Sequence, residues 1–273
     1  MDKVIFEKTL KEYVQESPSN FLQKEVALKP ELAGMRFYDE PLIGYAAAED
    51  PIFLEFKKSG IIGAHFITPV EWLPEAKTVI SVFLPFSEQV RVSNRQDLSW
   101  PSCELLHARI EGQVFQNILC RFLEELFRKE DFAVLSPMVN SLFKTGNPLC
   151  TEKADQNFYS SNWSERHVAY AAGLGTFGLS KGLITRKGVA GRFISIITSC
   201  FFEPDKRSYK GIYDYCSNCG SCVRNCPVRA ISPEKGKNHP ICSAFLDKTK
   251  EKHSPRYGCA KCQVKVPCEF MMP

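Results

Sequence analysis

Four cysteines fall within eleven residues, at Cys216, Cys219, Cys222 and Cys226, and Pro227 follows the last of them. This Cys-x2-Cys-x2-Cys-x3-Cys-Pro run is the spacing at which thiolates hold the corners of a [4Fe–4S] cubane. Three cysteines so close together are too crowded to share one tetrahedral zinc comfortably. The chemistry expected is therefore electron transfer, and every other residue is asked what it does with electrons.

Downstream lie Cys242, Cys259, Cys262 and Cys268, a second set of four. Where two such motifs pack together, the fourth cysteine of each crosses to the other cluster. On that logic Cys216, Cys219, Cys222 and Cys268 hold the first cluster and Cys226, Cys242, Cys259 and Cys262 the second, with Cys226 and Cys268 the exchangeable pair. A stretch this short with few large apolar side chains hardly folds unaided, so cluster assembly and folding are expected to be coupled. His239 and His253 flank the thiols; eight cysteines suffice, and both are expected on the surface.

The chain has 12 cysteines, of which Cys103, Cys120, Cys150 and Cys200 are scattered. Clustered cysteines without a secretion signal indicate metal sites in a reducing compartment rather than a disulfide framework, and the cytoplasm is the expected location. No run is long and uncharged enough to span a bilayer, so no membrane partner is expected. Residues 205–273 hold 13 Lys and Arg against 6 Asp and Glu, while the whole chain carries a net charge of +4. The excess at this end offsets roughly −4 of charge from two clusters, and we read it so rather than as a nucleic-acid surface.

The elements that position these thiols follow from periodicity. Helical spacing predicts an N-terminal helix, a short helix near residues 52–58, and a long helix from a Ser102 cap to about Lys129, with Leu106, Ile110, Val114, Ile118, Phe122 and Leu126 as its core stripe and Phe115, Leu119 and Leu123 beside it. His107 and Cys120 on that helix read as packing residues. Thr78–Phe83 and Phe132–Leu135 read as strands, and Lys144–Asn162 as a long polar loop, a candidate active-site wall. Asn162 or Ser164 caps a helix that stops at Gly173, with Glu165 completing a capping box if Asn162 is the cap. Two strands, Gly182–Thr185 and Arg192–Thr198, are joined by a turn at Lys187–Gly191. Alternating strands and helices predict an α/β or α+β domain over residues 1–204, followed by a ferredoxin-like domain over 205–273.

Gly173-Leu174-Gly175-Thr176-Phe177-Gly178 matches Gly-x-Gly-x-x-Gly. A dinucleotide site needs a strand before this motif and a helix after it. Here a helix precedes and a strand follows, so the nicotinamide reading is rejected. The glycines either make a tight turn or let backbone approach something bulky.

Ser164-Glu165-Arg166-His167 through Gly175, then Gly182-Leu183-Ile184-Thr185, Arg192-Phe193 and the Cys run, together with Leu73–Val82, resemble the epoxyqueuosine reductase family over residues 70–268. They are also similar to the more distant reductive dehalogenases. The resemblance implies an α+β, nitroreductase-like domain that binds base-off cobalamin, fed by a domain with two [4Fe–4S] clusters. It assigns cofactor contact to Glu165, Arg166, His167, Gly173, Gly175, Thr176 and Gly178, and implies a donor such as ferredoxin or flavodoxin and a small-molecule or modified-base substrate. Where the family carries an acidic proton donor six residues before Glu165, this chain has Tyr159. The last Cys pair is also more widely spaced than in the family. The helical repeats that grip tRNA have no counterpart here, which argues against a tRNA substrate.

Two functions are thus carried forward. One is a cobalamin- and iron–sulfur-dependent reductase, and the other an iron–sulfur electron carrier or accessory protein without corrinoid or catalysis of its own. A third, weaker idea is a reductase that activates the corrinoid of another protein.

Overall fold

The computed structural model describes residues 1–146 and 160–273. Helix α1 (Lys3–Glu16) is capped by Asp2, whose Oδ1 accepts from the Ile5 amide at 2.9 Å. Strand β1 (Leu42–Ala47), the one-turn helices α2 (Ile52–Glu55) and α3 (Pro69–Trp72), strand β2 (Thr78–Pro85), helix α4 (Glu88–Gln96) and helix α5 (Cys103–Arg128) follow. Short strands β3 (Val134–Leu135), β4 (Thr145–Gly146) and β5 (Ser160–Ser161) lead to α6 (Glu165–Ala171), β6 (Gly175–Phe177), β7 (Leu183–Thr185) and β8 (Gly191–Thr198). The Cys-rich end adds α7 (Ser221–Arg224), the ribbon of β9 (Ile231–Ser232) and β10 (Gly236–Lys237), and α8 (His239–His253).

One sheet, in the order β1-β2-β8-β3, carries the first two-thirds of the chain. Every pairing in it is antiparallel, so the domain is α+β. Strand β2 is buried at all of its residues because both faces of the sheet are covered. Ile80, Val82, Ile194 and Ile196 face Leu10 and Val14 of α1 and Phe115 and Leu119 of α5. On the other face Val79 and Ile197 meet Phe53, Trp163 and Val168. Among the described residues no helix is long and apolar enough to cross a membrane.

Several expectations are corrected. Helix α5 forms from its Ser102 cap, whose Oγ accepts from Leu105 N at 3.2 Å, but it buries a different stripe. Val114 and Ile118 are exposed, and the core face runs through Leu105, Ala108, Gly112, Phe115, Leu119, Leu123 and Phe127. A strict i+4 row drifts around a 3.6-residue helix, so it cannot stay on one face over seven turns. Strands β7 and β8 do not pair with each other: β7 pairs with β6, and β8 with β2 and β3. Ser164 rather than Asn162 caps α6, and its hydroxyl meets His167 Nδ1 at 2.8 Å instead of the helix amides. The expected capping box is therefore not made. Strand β1 was hidden by Gly44, which the fold requires: a Cβ there would lie 2.4 Å from the carbonyl oxygen of Ala172. The base of the long polar loop is the β4–β5 ribbon. Tyr159 and Cys150 lie outside the described residues.

Candidate metal centre

Cys216, Cys219, Cys222 and Cys268 line one cavity, with Gly178, Ser180, Ile184 and Val266 as its other walls. The first three reach it through the turn into α7, where Asn218 and Gly220 take positive φ. Cys268 arrives from the far end of the chain along the start of β8. The Val189 amide donates to the Cys268 carbonyl at 2.8 Å and the Ala190 amide to that of Glu269 at 3.1 Å. Gly188, at φ +80°, leaves room for this tail, since a Cβ would sit 2.3 Å from Glu269 O.

Glu269 is 1% exposed and anchors the tail. Its carboxylate accepts from Arg95 Nε at 2.9 Å and Nη2 at 2.8 Å and from the Lys265 amide at 2.7 Å, with Arg91 at 3.5 Å. Arg95 belongs to α4, a helix that nothing in the sequence links to the cysteines. These positioning residues were missed because only the fold brings them together.

The second set gathers beside the first. Cys226 Sγ accepts from the Ala230 amide at 3.1 Å, and Lys237 Nζ lies 3.6 Å from Cys262 Sγ. The Cys259–Cys262 loop is fastened to the end of α4. Lys261, 0% exposed, donates from Nζ to Asn94 O at 2.8 Å and Oδ1 at 2.6 Å, while Asn94 Nδ2 donates to Cys259 O at 3.0 Å. Cys222 and Cys262 stand where the two sets approach, each within electrostatic reach of the other. His239 and His253 are half-buried rather than on the surface. Burial and the charges of Lys181, Lys237 and Arg166 drive His239 down to about 4, so its ring is neutral.

Without metal Cys222, Cys259 and Cys268 hold their protons. Burial, then repulsion from Cys262, Cys216 and Cys219, pushes Cys222 up to about 11. Burial and neighbouring sulfurs push Cys268 up to about 12, and burial does the same to Cys259. Metal binding must displace these protons. Because the folded values exceed the ordinary thiol value of 9.0, the folded metal-free chain keeps protons that the unfolded chain gives up. Its stability is complete below about pH 9 and falls as pH rises toward about 12. We expect the Tm of chelated protein to drop steadily above pH 9, and that of metal-loaded protein, whose sulfurs are already thiolates, to drop much less. Parallel pH profiles for the two forms would contradict this.

The glycine loop braces the first set. Gly173, at φ +77°, ends α6. Gly175 lies in β6 where a Cβ would meet Ile184 O at 1.9 Å. Thr176 is 0% exposed and its Oγ1 accepts from the Tyr215 amide at 2.8 Å. The Phe177 amide donates to Ile212 O at 2.7 Å, and a Cβ on Gly178 would lie 3.6 Å from Cys216 Sγ. The loop therefore positions the chain that enters the Cys run. A larger groove, of about 800 Å³, is lined by Arg36, Glu40, Arg91, Lys187 and Phe270 and by none of the glycine-loop residues.

The Glu165-Arg166-His167 triplet is split among three surroundings. Glu165 sits over the sheet face where Ser81 and Ser195 pair in register, and both its carboxylate oxygens are closed from solvent without a hydrogen-bond partner. Burial pushes it up to about 8, so it is protonated at neutral pH. Burial lowers Arg166 below the usual guanidinium range, opposed by the electrostatic pull of Cys262 and Cys242. His167 packs between Phe56 and Phe177, with ring centroids 5.2 and 4.9 Å away, and burial lowers it to about 4.

Residues 209–232 match the family model described as 4Fe-4S binding domain, which puts the chain in the class of iron–sulfur proteins. Within that class it is homologous to epoxyqueuosine reductases and more distantly similar to reductive dehalogenases. It is 33% identical over 114 residues to the epoxyqueuosine reductase of Listeria monocytogenes serovar 1/2a, covering 38% of this chain and 29% of the relative. To a tetrachloroethene reductive dehalogenase of Desulfitobacterium hafniense it is 39% identical over 69 residues, covering 25% of this chain and 12% of the relative. The matched stretch thus spans less than a third of these curated relatives. Among solved structures, epoxyqueuosine reductase from Streptococcus thermophilus superposes with a TM-score of 0.52 at 18% identity, covering 100% of this chain and 68% of that one. The enzyme from Bacillus subtilis gives 0.50 at 19%, covering 100% and 70%. At these identities the likeness is one of fold.

Proposed function

We propose that this chain is an iron–sulfur oxidoreductase. Two [4Fe–4S] clusters, on Cys216, Cys219, Cys222 and Cys268 and on Cys226, Cys242, Cys259 and Cys262, pass electrons singly to the α+β domain of residues 1–204 from a soluble donor such as ferredoxin or flavodoxin. The observation that supports this reading is the cavity lined by Cys216, Cys219, Cys222 and Cys268 and walled by Gly178 and Ile184 of the α+β domain. The named relatives reduce an epoxide or a chlorinated alkene, so the substrate class proposed is a small molecule or modified base that loses oxygen or halogen on reduction.

Cobalamin is the acceptor that the resemblance brings with it, and the glycine loop does not fit direct corrin contact. Gly175 and Thr176 are closed against protein, and Gly178 faces Cys216. The same observation favours a second reading, an electron carrier whose loop serves the cluster alone. Anaerobic reconstitution separates them. Iron near eight atoms per chain supports the two clusters, and four or fewer overturns them. Hydroxocobalamin that co-elutes with the protein and changes its visible spectrum supports the reductase with a corrin held off the glycine loop. Failure to retain it at micromolar protein supports the carrier.

A further inference from the structure

The two cysteine sets stand in opposite electrostatic surroundings. Cys219 of the first set is exposed, whereas the other seven cysteines are partly covered. The first set is packed by Ile184, Val189, Val266 and Tyr215. The cation beside it, Arg224, is itself exposed and reaches the Cys219 carbonyl and Ser221 Oγ at 3.1 and 2.9 Å. Water screens that charge.

The second set is flanked by cations that are half-buried or fully buried. Lys237 Nζ points at Cys262 Sγ from 3.6 Å. Arg109 lies against the loop before Cys259, its guanidinium 4.3 Å from the Tyr257 ring centroid and its Cδ 3.2 Å from where a Cβ on Gly258 would stand. Its Nε is buried without a partner. Arg166 is within electrostatic range of Cys262 and Cys242, and Lys261, fully enclosed, is tied through Asn94 to the Cys259 carbonyl. Among the described residues, none of these four cations forms an ion pair with a carboxylate.

We propose that these cations, Lys237 foremost, make the second cluster the higher-potential one, so that electrons enter at the exposed Cys219 side and settle on the inner cluster. This rests on the two-cluster reading above. A four-thiolate cluster carries roughly −2 and gains one more negative charge on reduction, and its potential follows net charge, hydrogen bonds to sulfur and exposure. Burial alone disfavours the added electron. Positive charges this close, one of them fully enclosed and the others half-buried, favour it, because Coulomb interactions with partly buried groups are stronger than at the surface. The Ala230 amide on Cys226 Sγ acts in the same direction.

The test is an anaerobic redox titration of the reconstituted full chain followed by electron paramagnetic resonance. Two one-electron waves are expected. Lys237→Gln should lower only the upper wave, by about tenfold in the reduced-to-oxidised ratio at fixed potential, which is about 59 mV for a one-electron couple. Lys237→Arg should leave it near the wild-type value. A Cys219→Ala chain that keeps about four iron atoms should retain the upper wave and lose the lower. A shift of the lower wave with Lys237→Gln, or of neither wave, overturns the proposal while leaving two clusters standing. Iron near four in the wild-type chain overturns the two-cluster reading and this inference with it.

Discussion

Combining Cys222→Ala with Cys268→Ala is expected to lower bound iron from about eight to about four atoms per chain, no further than either change alone. Combining Cys222→Ala with Cys226→Ala is expected to remove nearly all of it. The difference follows from which thiols share a cubane, because a second loss from a cluster already broken removes no further iron. Cys222 and Cys268 line one cavity although they lie at opposite ends of the Cys-rich region. Cys226 is only four residues from Cys222, yet its sulfur takes the Ala230 amide and reaches Cys242. Iron analysis with visible spectra on anaerobically reconstituted protein gives the answer. Equal iron in the two double variants would place all the tested cysteines on one cluster and sink the exchanged pairing.

Glu269→Ala should destabilise the protein by about 3–5 kcal/mol, the range for breaking a buried ion pair. At about 2–4 °C per kcal/mol that corresponds to a Tm lower by roughly 6–20 °C. The carboxylate is almost wholly enclosed and takes a bidentate pair from Arg95 as well as the Lys265 amide. Its removal leaves that amide without an acceptor and frees the tail that carries Cys268. Iron should therefore fall along with the Tm, toward the four atoms of the second cluster. Arg95→Lys, which keeps the charge but loses the planar fork, should give a smaller change in the same direction. A Tm within 2 °C of wild type, or full iron in the Ala variant, would show that the tail is held by its backbone bonds to β8 alone.

Much of the fold was legible where local rules suffice. The N-terminal helix forms, Ser102 caps the long helix expected of it, and the β-branched run from Thr78 is an inner strand of the sheet. Helix α4 escaped notice because its face is polar, its buried Asn94 serving the Cys259 loop rather than an apolar core. The stripe of α5 was misread because apolar residues line most of that helix, and only the position of the sheet decides which side is covered. The glycine motif was recognised as something other than a dinucleotide site from the order of its flanking elements. That the Thr176 hydroxyl holds the Tyr215 amide and that Gly178 faces Cys216 could not be read, since contacts between distant segments leave no mark on either.

The sequence by itself determined the iron–sulfur chemistry: four cysteines at cluster spacing and the proline after Cys226 mark a [4Fe–4S] motif, because thiolate spacing is a local property of the backbone. Only the tertiary structure decided how those thiols are braced and which charges stand beside them. Glu269 meets Arg95 across 174 residues, Lys237 meets Cys262, and Arg109 meets Gly258. Electrostatic surroundings depend on what packing brings close and what it dries, and neither has a period or a spacing that a sequence can display.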